Sequence, residues 1–154
     1  MNDYFLCVIV SNLFEKFYRN NITDMQCMFF EYTSLKVLNL NNFNTNNVTN
    51  MERMFFRCSS LKEINLNNFN TNNVTNMSDL FFECTSLKKV NINNLNIKNG
   101  TNFDGMFYWC SSLEELNINN FESNKLINID DMFLECPNEF KMKIKDKYKN
   151  IFKN

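Results

Sequence analysis

The chain has no histidine, two glycines, one proline and one tryptophan in 154 residues. Each scarcity removes a class of chemistry. Without histidine there is no imidazole to act as a base beside a serine or cysteine nucleophile. With only Gly100 and Gly105, no glycine-rich loop can wrap a phosphate. The cysteines lack C-x-x-C pairing and histidine partners, so a structural zinc site has no ligand set at the usual spacing. No apolar run reaches 18 residues, so no membrane-spanning helix is expected. A net charge of −1 offers no electrostatic drive toward nucleic acid. These absences point to a non-catalytic protein with no cofactor and no metal.

What is abundant is patterned. There are 32 asparagines and 17 phenylalanines. The stretch NVTNMERMFFRCSSLKEINLNNFNTN covers residues 47–72, and NVTNMSDLFFECTSLKKVNINNLNIK covers 73–98. Related units start at Asn21, Asn99 and Lys125, so the period is 26 throughout. Such self-similarity is the signature of a stacked repeat architecture. Apolar columns follow: Met25, Met51, Met77, Phe103 and Ile129; then Phe29, Phe55, Phe81, Phe107 and Phe133; then Leu35, Leu61, Leu87 and Leu113.

Within a unit the periodicity changes. Met51, Met54, Phe55 and Cys58 lie at i, i+3, i+4 and i+7, which predicts a short helix. Thr49 and Glu52 read as its capping box. After Ser59-Ser60 the pattern alternates. Ile64 and Leu66 point inward while Glu63, Asn65 and Asn67 point outward, as in a strand with one buried face. Helix then strand every 26 residues predicts an α/β solenoid with parallel strands stacked about 4.8 Å apart. Residues 1–20 read as a degenerate N-terminal cap or partial repeat, and residues 21–136 as four to five repeats. Residues 137–154 read as a capping helix with Asn138 as N-cap. Its stripe is Phe140, Ile144, Tyr148 and Ile151, and its lysines face water. Residues 138–154 carry a net +4 against −5 for the rest.

The segment Leu61 to Phe69 follows the L-x-x-L-x-L pattern. The whole unit, NVTNM-x-x-MFF-x-CSSLK-x-x-NLNNFNTN, resembles the BspA-type leucine-rich repeats of bacterial and protist surface proteins. The resemblance implies a right-handed leucine-rich-repeat-like stack of short parallel strands and short helices. It also implies a surface or secreted protein that adheres to host or matrix proteins. It supplies no catalytic residues. Against export, Asp3 precedes the apolar run of residues 4–10 and no basic n-region is seen. Location therefore stays open between the cell surface and the cytoplasm.

Three features compete for function. Cys58, Cys84, Cys110 and Cys136 recur in one column, to be read as buried thiols, rung-to-rung disulfides or, least well, a metal site. The outward strand positions form three columns: Val37, Glu63, Lys89 and Glu115; Asn39, Asn65, Asn91 and Asn117; and Asn41, Asn67, Asn93 and Asn119. They are read as a protein-binding face or as ladders of self-bonded amides and ion pairs. Trp109 sits where other units carry Arg57 and Glu83, either as a surface anchor or as cover for the helical side. Asn21, Asn47, Asn73, Asn76 and Asn99 lie in N-x-[ST] sequons, four of them expected because the repeat's threonine also caps a helix. The expectation is a monomeric, non-enzymatic interaction module with an unidentified protein partner. The alternatives are a structural fragment of a longer array and an intracellular scaffold.

Overall fold

In the computed structural model, residues 22–41, 43–92, 101–118, 127–149 and 152–153 are described. Alternation of apolar and polar side chains gives three short strands: β1 (Glu63–Asn65), β2 (Lys89–Asn91) and β3 (Glu115–Asn117). Each buries its central residue, Ile64, Val90 or Leu116, and turns its flanking residues outward. They pair in parallel in the order β1-β2-β3. The register is Glu63↔Lys89↔Glu115, Ile64↔Val90↔Leu116 and Asn65↔Asn91↔Asn117. The 26-residue offset read from the sequence is thus the pairing offset. This is a repeat fold with parallel strands. In unit one, residues 36–40 form no strand.

The segments expected to be short helices are not helical in units one to four. Residues 52–57 and their counterparts there are chains of tight turns, whereas in unit five Ile129–Met132 forms a single α-helical turn. Alternate amides leave the unit altogether. Met25, Cys27, Phe29 and Glu31 donate to the carbonyls of Asn50, Glu52, Met54 and Phe56 in the next unit, at 2.7–3.0 Å. The amides between them fold back three residues: Met28 to Met25, Phe30 to Cys27 and Tyr32 to Phe29. A left-handed residue closes each four-residue turn. Positive φ occurs at Cys27, Glu31, Arg53, Arg57, Asp79, Glu83, Trp109 and Glu135, and at Gly105. An α-helix would bond each amide within its own unit. Here half of them stitch neighbouring units together.

The physical reason for the misreading is geometric. Two successive four-residue turns also bring i, i+3, i+4 and i+7 to one side. Met51, Met54, Phe55 and Cys58 are accordingly all buried. The expected capping box does not form. Thr49 Oγ1 instead donates to the Thr23 carbonyl at 3.1 Å. The turn is opened by the next residue, where Asn50 Oδ1 accepts the Glu52 amide at 3.0 Å. Asp24, Asn76 and Asn102 do the same for Gln26, Ser78 and Asp104. A short side chain that bonds its own backbone two residues on is the ordinary use of Asn and Asp in turns.

The core is a set of columns. Phe29, Phe55, Phe81, Phe107 and Phe133 are fully buried and stack at 5.3–5.4 Å, nearly parallel. The pattern ends at α1 (Ile129–Met132) and α2 (Asn138–Lys147). Helix α2 starts after Pro137, which is the N-cap, rather than being capped by Asn138. Phe140 and Ile144 are buried, and Phe140 meets Phe133 edge to face at 5.4 Å. Tyr148 Oη accepts the Ile118 amide at 3.2 Å. So α2 packs on the last units and is shorter than the stripe suggests. Beyond it, β5 (Phe152–Lys153) pairs in parallel with β4 (Ile127–Asn128). The N-terminal cap proposed for residues 1–20, and Ile151, lie outside the described residues.

Candidate functional site

Two surfaces run along the stack. The first is the strand face, where the expected binding columns lie. Val37 is 82% exposed, while Asn39, Asn41, Glu63, Asn65 and Glu115 are exposed and Asn67, Lys89, Asn91 and Asn117 are half-buried. Asn93 and Asn119 lie outside the described residues. The register brings Glu63, Lys89 and Glu115 into one line. Only one of the two expected ion pairs forms, Lys89 Nζ to Glu115 Oε2 at 2.9 Å. Hydrogen bonds from Asn117 and Lys89 hold the Glu115 carboxyl below its usual range. One column earlier in the chain, Lys88 and Glu114 pair at 2.8 Å.

The asparagines divide their bonds differently from a continuous amide ladder. Asn39 Oδ1 accepts the Asn41 amide and Asn65 Oδ1 accepts the Asn67 amide, both at 3.0 Å. One amide-to-amide bond crosses units in this column, Asn117 Nδ2 to Asn91 Oδ1 at 2.8 Å. The side chains chiefly fix the backbone at the strand ends.

The cysteine column is resolved by burial. Cys58, Cys84, Cys110 and Cys136 are free and buried. Each thiol donates to a carbonyl of the preceding unit: Cys58 to Phe29, Cys84 to Phe55, Cys110 to Phe81 and Cys136 to Phe107, at 3.0–3.1 Å. Burial pushes the Cys58 and Cys136 thiols up to about 12 and raises those of Cys84 and Cys110 well above the ordinary thiol value. Such thiols stay protonated at neutral pH. Among the described residues, no cluster of His, Cys, Asp or Glu could hold a metal ion.

The second surface escaped sequence reasoning. Phe30, Phe56, Phe82 and Tyr108 form an outer stack at 4.7–4.8 Å, nearly parallel. It runs beside the turns, with Phe30 36% exposed. Arg57 spans three units here, reaching Glu83 Oε2 at 2.8 Å and Glu31 Oε1 at 3.1 Å. Arg53 Nε meets Asp79 Oδ2 at 3.0 Å. Both guanidinium groups lie within 6 Å of the Phe56 ring centre, Arg57 at 5.1 Å. Trp109 is 46% exposed and its ring lies 5.9 Å from Tyr108, with Leu134 of the next unit 41% exposed. The signal was present in the FF pair of units one to three, which becomes Phe107-Tyr108 and Phe133-Leu134 in the last two: with Phe55 inward, Phe56 must face out.

The family model described as "Mycoplasma protein of unknown function, DUF285" matches residues 23–148. The chain belongs to the DUF285 family. The match begins within the first full unit and ends in the last turn around α2, so the DUF285 segment includes the repeats and the covering helix together. No curated protein matches. No solved structure matches. In this DUF285 chain two clefts of about 410 and 450 Å³ flank α2, lined by residues such as Ser111, Glu114 and Lys143 in one and Leu134, Glu135 and Lys141 in the other. No described helix is long and apolar enough to cross a membrane.

Proposed function

We propose that this chain is a non-catalytic protein-interaction module, a right-handed solenoid of BspA-type leucine-rich repeats that binds through its strand face. The observation that carries the reading is the register of β1 to β3. It sets Glu63, Lys89 and Glu115, and Asn65, Asn91 and Asn117, in straight outward lines on a hydrogen-bonded support. A surface held this way loses little conformational entropy when a partner docks. The resemblance to surface adhesins suggests matrix proteins as partners and display at the cell surface. Surface labelling of intact cells tests the location.

Binding is tested with immobilised matrix proteins and a Glu63→Lys, Glu115→Lys double variant. Both side chains are exposed, so the variant keeps its fold. Affinity for the bound matrix protein falls several-fold if the strand face is used. Unchanged affinity of the folded variant moves the site elsewhere.

A second reading is a purely structural array. It is favoured by the Asn39 and Asn65 oxygens, which are already engaged by their own backbone. Failure of the folded protein to bind any matrix protein supports it.

A further inference from the structure

The outer turn face alternates charge until unit four, where the alternation stops. In one column the residues run Glu31, Arg57, Glu83, Trp109, Glu135. All five have positive φ, so they are conformational equivalents. Arg57 clamps the glutamates on both sides. Trp109 occupies the place where the next cation would clamp Glu83 and Glu135. The register at that point is the same: Trp109 donates to Leu134 as Arg57 donates to Phe82. The neighbouring column runs Cys27, Arg53, Asp79, Gly105, Asp131. Arg53 engages Asp79 Oδ2. Gly105 stands where a second cation would follow, and Asp79 Oδ1 fills the space its missing side chain leaves.

Unit four therefore lacks both cations that unit two supplies. Asp131 and Glu135 make no ion pair with any described residue, and both are exposed. Trp109 and Leu134 are exposed apolar side chains on this face, with half-buried Tyr108 5.9 Å from the Trp109 ring. We propose that the turn face over units three to five is a second docking site, taking a basic peptide segment in which arginine or lysine alternates with apolar residues. A cation of the peptide enters against Glu135, where Trp109 replaces a clamping cation, as Arg57 sits against Glu31 and Glu83 in unit two. Its apolar neighbours cover Trp109 and Leu134. An indole face also attracts a cation directly. The site is independent of the strand face.

Trp109 is the only tryptophan, so its fluorescence reports on this site alone. The probe is a fluorescein-labelled dodecapeptide of alternating arginine and leucine, with a glutamate–leucine peptide as control. The arginine peptide shifts Trp109 emission and gives saturable anisotropy that weakens as salt rises. Glu135→Lys weakens binding about three- to tenfold, and Glu135→Gln less, as for a rim charge. Trp109→Arg restores the missing clamp and removes binding by anisotropy. Glu63→Lys, on the other face, leaves affinity unchanged. Equal binding of the glutamate peptide overturns the proposal, as does unchanged affinity of Glu135→Lys and Trp109→Arg with native melting curves. A doubling of mass without peptide, with the same emission shift, assigns the site to a second copy and also overturns it.

Discussion

At the scale of the residue, the cysteine column shows how one side chain serves a repeat. A thiol is small enough for a closed interior and still supplies a weak donor. Its S–H reaches a carbonyl of the preceding unit in all four cases. The consequence for pH follows from the sign of the shift. The folded thiol holds its proton up to about 12 at Cys58 and Cys136, whereas an unperturbed thiol releases it near 9.0. Below 9 both states are protonated and the contribution to stability is fully present. Above 9 only the unfolded chain ionises, so stability falls as pH rises toward 12. Urea melts across that interval are expected to show a steepening loss. Ultraviolet thiolate absorbance of the column is expected only on unfolding. Alkylation of the native protein is expected at exposed Cys27, while the four column thiols stay unmodified.

At the scale of the element, the two phenylalanine stacks differ in what surrounds them. Phe81 has no exposure and touches rings above and below at 5.3 Å. Phe82, one residue on, stacks more closely, at 4.7 and 4.8 Å, but is half-buried. Phe81→Ala is expected to cost about 3–5 kcal/mol, the range for a large core truncation. Phe82→Ala is expected to cost clearly less, because water already reaches its ring. Chemical denaturation of the two variants side by side decides this. The same pair explains what the sequence could and could not reveal. The buried columns, the strand register and the covering helix were legible, because each leaves a periodic apolar trace. The turns were not, because two four-residue turns and a helix bury the same positions. Their distinguishing mark is a left-handed residue at every fourth place. Here those places hold Cys, Glu, Arg, Asp and Trp rather than a run of glycines, so no composition signal betrays them. The Asn columns were visible, but their bonding to the backbone two residues on was not, since amide ladders and Asx turns call for the same residue.

At the scale of the whole molecule, the units form a line of contacts in which each touches its neighbours. Stability in such an array is close to a sum of unit and interface terms. The line must be closed at its ends, because an open unit presents unpaired backbone groups and an apolar face. Helix α2 does this at one end, placing Phe140 on Phe133 and Tyr148 on the Ile118 amide. Removing residues 138–154 is expected to leave the repeats able to fold but prone to associate end to end. Sedimentation of the shortened protein is the measurement. A monodisperse monomer with native-like melting would show that α2 is dispensable. The strand face and the turn face are separate at this scale too, since each is a stripe whose length is set by the number of units.

The unbroken 26-residue offset has a consequence for how such a chain can change. Misaligned recombination between two copies of the unit removes or adds one whole copy and leaves an identical seam, with Phe on Phe and Cys under carbonyl. Heredity can therefore adjust the reach of this protein in discrete steps. Unit four is a place where such a step is not neutral: copied, it would duplicate the Gly105–Trp109 gap, and deleted, it would erase it.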